Sequence, residues 1–366
     1  MYYLCPLMKD SQFFVFNNPP EWVETYRAQR SAPSNIALVK YWGKEDPQIP
    51  KNPSVSFTLD QCRTHTQVNF QKQTKQEEVP FEIYFDGVSK PEFRPKLQSF
   101  FKRILPYVSY LSEYSLHIET QNTFPHSSGI ASSASAMAAL AACIMDLEMQ
   151  LDPSLSLDYS LQKTSFLARL GSGSAARSVQ GPIVGWGQHP KTPKSSDLYG
   201  VTIENTHAVF NNYCDTILLV DEGQKTVSST LGHRLMEGHP FATQRFDQAR
   251  DHYAQLIDIL SQGDLARFVK LVEKEALCLH AMMLTSDPQF VLMKPNTLQI
   301  LQSVWEYRKN TGNQVAFTLD AGANVHLLYP DNIREDVQSF IESELTLFCQ
   351  NGAFIHDRVG MGLKKM

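Results

Sequence analysis

Hydrophobic and polar positions alternate through Val55, Phe57 and Leu59, set against Ser56 and Thr58, and the β-prone residues Thr64, Thr66, Val68 and Phe70 again take every second position. A period of two puts successive side chains on opposite faces of a pleated strand, so these runs predict two strands of an antiparallel sheet. Ala32–Trp42 (APSNIALVKYW) reads as extended chain. Phe81–Phe85 is a further strand that ends at Asp86-Gly87, a hairpin-type turn. Phe93–Val108 changes to a helical pattern and Tyr114–Thr120 returns to strand. Leu155–Leu170 is a helix stopped by Gly171. Gly181–Trp186 and Ala208–Val220 read as strands around the polar loop Gly187–Ser196. Residues 1–30 read as an irregular lead-in.

The second half is more helical. Phe246, Ala249, Tyr253, Leu256, Ile257 and Leu260 follow a 3.6-residue period, and so do Leu265, Phe268, Val272, Ala276 and Leu279. Leu298, Leu301 and Trp305 mark a third helix, with Asn296 as its expected N-cap. Val315–Leu319 and Val325–Tyr329 are strands joined by the turn Ala321-Gly322-Ala323-Asn324. A last helix carries Val337, Phe340, Ile341 and Leu345, capped by Asp331 or Asn332. Strands and helices mix in both halves without regular alternation, which predicts an α+β chain. The expected division is an extension at 1–30, one domain at 31–207 and a second at 208–366.

Residues 121–143 (QNTFPHSSGIASSASAMAALAAC) organise the first half. Extended chain and a Gly/Ser turn precede Ser132, and a helix of small residues follows it. The start of such a helix presents unpaired N–H groups and the positive end of its dipole. With the surrounding serine hydroxyls, and Gly129 to let backbone come close, this suits a phosphate. The same stretch also fits plain close packing of an Ala-rich helix. It is not a Walker loop, since no Gly-Lys-Ser/Thr follows.

Composition narrows the class. Among 366 residues, 42% are hydrophobic and 19% charged, enough apolar material for a sizeable core. Lys and Arg total 33 against 38 Asp and Glu, a net charge of −5, which argues against a nucleic-acid binder. The six cysteines have neither zinc nor redox-pair spacing and fit a reducing, cytoplasmic setting. Met1–Asp10 lacks the pattern of a secretory signal.

Four stretches carry candidate chemistry: Ala32–Lys44, Phe124–Ser135, Gly171–Arg177 and Phe317–Asn324. They supply lysines (Lys40, Lys44), hydroxyls, a guanidinium (Arg177) and a carboxylate (Asp320). Phosphoryl transfer asks for this set: cations on phosphates, a carboxylate near the attacking hydroxyl, and little covalent work by the protein. Gly171, Gly173 and Ala176 match a dinucleotide fingerprint on paper, but a helix rather than a strand precedes them, which excludes that reading.

The motifs also resemble a known family. APSNIALVKYWGK resembles the opening motif of diphosphomevalonate decarboxylases, and NTFPHSSGIASSAS their ATP loop, a variant of the galactokinase, homoserine kinase, mevalonate kinase and phosphomevalonate kinase motif. GSGSAARS resembles their substrate-binding turn, VSSTLGH (Val227–His233) a substrate-contacting loop, and TLDAGANVHLL the segment with the catalytic Asp. The resemblance implies a ribosomal-protein-like N-terminal domain and a ferredoxin-like C-terminal domain, with the site in the cleft between them. It implies consumption of ATP with Mg2+, phosphorylation of the tertiary 3-hydroxyl of mevalonate 5-diphosphate, and loss of phosphate and carbon dioxide to give isopentenyl diphosphate. Homodimers are usual in such a family.

Carried onto this chain, the resemblance makes Asp320, Lys40, Arg177, Asn35 and Ser133 the catalytic set. Asp320 orients or deprotonates the hydroxyl, Lys40 keeps Asp320 ionised, and Arg177 binds the substrate carboxylate with Asn35 holding register. Tyr41, Trp42, Gly43, Lys44, Lys96, Ser172, Gly173, Ser174, Ala175, Ala176 and Thr230 are expected around the substrate. Pro125, Ser127, Ser128, Gly129, Ala131, Ser132, Ser133 and Ser135 are expected around ATP, with Ser133 on the metal. The chain departs from the family at His126–Ile130, at Ala176 and Ala323, and at Lys96, where the family has an Arg with fork geometry. Two rival readings are a kinase of the same superfamily that stops at phosphorylation, and a non-catalytic binding protein on the same fold.

Overall fold

The computed structural model describes residues 11–125, 130–221 and 229–366, without the side chains of Ser229 and Thr230. In chain order the main elements are β1 (Thr25–Val39), β2 (Ser54–Lys72), β3 (Phe81–Phe85), α1 (Arg94–Ile104), β4 (Tyr114–Asn122), α2 (Ser132–Leu151), α3 (Leu157–Gly171) and β5 (Ile183–Trp186). Then come β6 (Cys214–Leu218), α4 (Ser229–Arg234), α5 (Ala242–Gln262), α6 (Leu265–Leu284), α7 (Pro295–Thr311), β7 (Ala316–Thr318), β8 (Val325–Tyr329), α8 (Arg334–Phe340), β9 (Phe354–Arg358) and β10 (Lys364–Lys365).

The fold is α+β. A large mixed sheet runs in the order β10-β1-β2-β4-β3, with β5 pairing the first half of β2. The β3–β4 pair is parallel, as the intervening α1 crossover requires, and the other main pairs are antiparallel. A second antiparallel sheet runs β7-β8-β6-β9. The two alternating runs 55–59 and 64–70 are not separate strands. They form the single strand β2, whose pairing with β1 shifts register between Pro33 and Asn35. That irregularity bends one long strand where two were expected.

Other boundaries also move. β1 begins at Thr25, inside the expected lead-in. Of 208–220 only Cys214–Leu218 is strand, and Ala208–Phe210 is a 3-10 turn. Asn296 is not an N-cap, because Lys294 takes that position and Pro295 begins α7. A 3-10 turn at Asp331–Ile333 precedes α8, so neither Asp331 nor Asn332 caps it. The C-terminal stretch, which shows no clear periodicity, forms β9 in the second sheet and β10 on the edge of the first. The Asp86-Gly87 turn is the hairpin turn its sequence predicts, with φ of 50° and 74°.

α2 is long and apolar enough to cross a membrane, yet it is mostly buried inside the protein. Ala134, Ala138, Ala139 and Ala141 are sealed from solvent, and their small size lets the helix lie close on β1 and β2. This fixes the start of the helix against the sheet. A second core joins the sheets through Phe57, Phe210, Tyr213 and Phe268, whose ring centroids lie 5.1–6.3 Å apart. Burying each such side chain contributes about 2–3 kcal/mol, so this cluster is a main tie between the halves.

Candidate active site

A cleft of about 720 Å³ opens between the end of β1, the start of α2, the α3–β5 connection and the β7–β8 turn. It gathers Lys40, Asp320 and Arg177, three charged residues from different stretches of the chain.

Lys40 follows β1 directly. Its Nζ lies 3.1 Å from Asp320 Oδ1, and its side chain is only 2% exposed against 26% for Asp320. Burial pushes the Lys40 ammonium below its ordinary range, and Asp320 opposes that shift. The backbone of Lys40 is pinned on both sides: its N–H donates to Glu275 Oε2 at 2.9 Å, and its carbonyl accepts from Asn52 Nδ2 at 2.9 Å. Glu275 is fully buried and takes two bonds from Arg245, at 2.9 and 2.6 Å, and one from His252 Nδ1. Burial alone would raise the Glu275 carboxyl, but those partners hold it below its usual value. Behind Asp320, His280 Nε2 meets the Asp320 carbonyl at 3.1 Å.

Arg177 ends the 3-10 turn Gly173–Arg177 that follows α3. Its Nε donates to Ser56 Oγ at 2.6 Å and its Nη1 to Ser54 Oγ, both on β2, and Trp186 lies under its plane. Burial lowers its pKa to about 10, with Asp320 acting in the opposite direction. Nη2 has no protein partner among the described residues, so one edge of the guanidinium is offered to the cleft. Asn35 donates to Ser178 Oγ at 2.8 Å and the Ser174 carbonyl at 3.2 Å, bracing the turn rather than touching Arg177.

At the other side the first turn of α2 faces the cleft. Its N-cap is Ala131, in the left-handed region at φ 41°, which cannot cap the helix with a side chain. Among the described residues no side chain caps the first N–H groups of that turn, which leaves them available to an anion. Ser133 Oγ sits 3.3 Å from Ser172 Oγ and links the two serine-bearing stretches. Beside Ser132 and Ser133 lies an apolar pocket of about 250 Å³, walled by Ile83, Phe93, Leu97, Ile118, Met137 and Leu140.

Among the expected residues, Asn35, Lys40, Tyr41, Trp42, Lys44, Lys96, Ala131, Ser132, Ser133, Ser172, Gly173, Ser174, Arg177 and Asp320 line this cleft. Ser135 does not. Its hydroxyl is buried against Thr64 Oγ1 at 2.6 Å and the Ser132 carbonyl, because it lies on the sheet side of α2. Ala175 and Ala176 are buried within the Gly173–Arg177 turn, and Pro125 and Gly43 are not in the cleft wall. Gly43 instead holds a left-handed turn at φ 92° and donates its N–H to His233 Nδ1 at 3.0 Å. Ser127, Ser128 and Gly129 lie outside the described residues, as does the side chain of Thr230.

Sequence reasoning missed Arg103, Gln48 and Ser99, which also line the cleft; His233 lines it too, the last residue of the expected substrate-contacting stretch Val227–His233 but not singled out within it. Arg103 stands two helical turns beyond Lys96 on α1, a spacing that could have revealed a shared face. Gln48 accepts from Lys44 Nζ at 2.9 Å, and no local pattern signals it. Among the described residues no cluster of three His, Cys, Asp or Glu could hold a metal, and five cysteines are free thiols.

A positively lined cleft with one lysine-paired carboxylate, set in a two-sheet α+β fold, marks a protein built around small anionic ligands. Known proteins narrow the class. A family model for the diphosphomevalonate decarboxylase-like N-terminal domain matches residues 32–197, and one for the mevalonate 5-diphosphate decarboxylase C-terminal domain matches 216–359. The diphosphomevalonate decarboxylase of Ganoderma lucidum is 31% identical over 87% of this chain and 82% of its own length. The human diphosphomevalonate decarboxylase is 28% identical over 82% of this chain and 76% of its own. The solved mevalonate diphosphate decarboxylase of Staphylococcus aureus superposes with a TM-score of 0.80 at 27% identity, covering 93% of this chain and 98% of that one. The chain belongs to the diphosphomevalonate decarboxylase family.

Proposed function

We propose that this protein converts mevalonate 5-diphosphate and ATP into isopentenyl diphosphate, ADP, phosphate and carbon dioxide. Family membership supports the reaction, and a solved relative described as MDDEF in complex with MVAPP, AMPPCP and magnesium supports the ligand classes. The observation that carries the reading on this chain is the Lys40–Asp320 pair, which faces the open edge of Arg177 and the uncapped start of α2 across one cleft.

In this reading Asp320 accepts the proton of the tertiary 3-hydroxyl as that oxygen takes the γ-phosphoryl group. Lys40 holds Asp320 ionised beforehand and offsets charge on the transferring group. Arg177 takes the substrate carboxylate on its open edge, already braced by Ser54 and Ser56. Lys44, Arg103 and Lys96 are the cations for the diphosphate. The first turn of α2, with Ser132 and Ser133, takes the nucleotide phosphates, and the adjoining apolar pocket fits a nucleobase. A magnesium ion carried on those phosphates would neutralise their charge, with the Ser133 hydroxyl in reach of it and water completing its shell.

The new 3-phosphate then departs with the C–O electron pair. The C–C pair of the carboxylate closes the alkene, and carbon dioxide leaves. Positive charge builds at a tertiary carbon meanwhile, so the buried wall of Trp42 and Leu279 serves by withholding a nucleophile. Two domains meeting near residue 207, a cytoplasmic location and, by family resemblance, a homodimer belong to the same proposal. Product analysis tests it: the protein incubated with mevalonate 5-diphosphate, ATP and Mg2+ should yield isopentenyl diphosphate by mass spectrometry. Accumulation of a 3-phosphorylated mevalonate without the alkene would replace this reading with that of a kinase.

A further inference from the structure

The cleft contains a residue that the reaction above does not use. His233 sits on the short helix α4, nine-tenths buried, and it lines the cleft beside Lys44 and Tyr41. Its ring is clamped on two sides. The Tyr41 ring centroid is 4.2 Å away at 40° and that of Trp42 4.9 Å away at 38°. Gly232 makes this possible, because a Cβ at that position would collide with the Trp42 ring.

One nitrogen of His233 is already committed. The Gly43 N–H donates to Nδ1 at 3.0 Å, and Gly43 can present that N–H because glycine tolerates its φ of 92°. A backbone N–H can only donate, so Nδ1 must be unprotonated and the ring proton must sit on Nε2. Nε2 has no protein partner among the described residues, and the residue lines the cleft. On the ring packed against it, the Tyr41 hydroxyl is also buried without a partner among the described residues. Two donors thus stand unused in the cleft wall, the His233 Nε2–H and the Tyr41 hydroxyl.

We propose that His233 is a substrate-binding residue whose Nε2–H donates to the diphosphate of the substrate, beside Lys44. This rests on the function proposed above and adds a contact to it. The diphosphate end is favoured over the carboxylate end because the residue that holds Nδ1 is Gly43, the chain neighbour of Lys44, whereas Arg177 stands on the separate Gly173–Arg177 turn; both cations act on the ring, Lys44 more strongly. A neutral donor has a purpose there: it binds a phosphate oxygen without adding a third charge to be desolvated. Burial and those two cations hold the imidazole neutral, with a pKa lowered to about 3, so the donor keeps one form at all working pH values.

The test uses two variants of the full chain. His233→Phe keeps the stacked ring and removes both nitrogens, whereas His233→Gln restores an amide N–H near the position of Nε2. Losing one hydrogen bond to a charged group should raise KM for mevalonate 5-diphosphate roughly tenfold or more in H233F, with KM for ATP unchanged and most of the loss recovered in H233Q. An unchanged KM in H233F overturns the inference, as does a Gln variant no better than the Phe variant, which would mark a packing role only. A second readout does not depend on turnover. In wild-type protein with 15N-labelled histidine, inorganic pyrophosphate should shift the His233 Nε2 resonance while Nδ1 stays hydrogen-bonded. No shift at saturating pyrophosphate overturns the inference. If wild type releases no carbon dioxide, the function proposed above falls instead, and the pyrophosphate titration still decides the role of His233.

Discussion

Lys40 Nζ lies 3.1 Å from Asp320 Oδ1 although 280 residues separate them in the chain. One residue directly follows a strand of the large sheet and the other opens the turn after a strand of the small one, so the pair exists only when both sheets are assembled. Chemistry that depends on this pair is therefore absent from either half alone.

Replacing Asp320 removes the only carboxylate among the charged groups described at the cleft wall. Asp320→Asn should lower kcat by roughly 10²- to 10⁴-fold, the usual share of a general base, while leaving the Kd for substrate nearly unchanged. Pre-steady-state phosphoryl transfer with isothermal binding of substrate checks both parts. Near-normal turnover would remove Asp320 from the mechanism.

Arg177 is braced through Nε and Nη1, so its free edge is set by the protein before substrate arrives. Arg177→Gln should lower kcat/KM by roughly 30- to 1000-fold, the range for truncating one partner of a buried charge pair. Arg177→Lys should recover little, since an ammonium cannot span Ser54, Ser56 and a carboxylate together. Full recovery by Lys would show that charge alone matters at this position.

Two buried imidazoles predict acid sensitivity. Burial, with help from nearby cations, lowers His233 to about 3 and His280 to about 4, against 6.5 for the ordinary group. Below 6.5 the unfolded chain takes up protons that the folded chain refuses, so their contribution to stability is complete above that pH and falls as pH drops towards 4 and then 3. Urea unfolding between pH 7.5 and 4.5 should show the midpoint falling with acid. His280→Asn should make that fall shallower, and a slope identical to wild type would sink the assignment.

Glu275 holds the backbone of Lys40 and neutralises the buried Arg245. Removing the charge with Glu275→Gln leaves Arg245 buried without a counter-ion and should destabilise the fold by about 3–5 kcal/mol. Chemical denaturation measures this directly. A loss under 1 kcal/mol would mean that solvent reaches Arg245.

Much of this was legible in the sequence, for local reasons. The 3.6-residue period of Phe246 to Leu260 and the Asp86-Gly87 turn each encode their element within a short window. Lys40, Arg177 and Asp320 stood out because each follows a run of small or apolar residues that has to end at a turn. What failed depended on distant partners. β2 read as two strands because its bend comes from its pairing with β1 rather than from its own pattern. β9 and β10 escaped notice because their strand state is imposed by neighbours already in place, Cys214–Leu218 and Arg30–Ser31. The serine-rich sequence alone points Ser135 at a ligand, and only the packing of α2 on Thr64 shows which serines face inward. His233 closes the VSSTLGH stretch, but nothing local singles out its ring within that stretch, since its value comes from Gly43, Tyr41 and Trp42, far away in sequence.

The central claim is that phosphoryl transfer at this cleft is coupled to loss of the carboxylate. The direct measurement follows ADP and carbon dioxide together, with ATP, Mg2+ and either mevalonate 5-diphosphate or mevalonate 5-phosphate. Equal amounts of ADP and carbon dioxide from the diphosphate, with little of either from the monophosphate, is the result this account predicts. ADP without carbon dioxide, or carbon dioxide from the monophosphate alone, would contradict it.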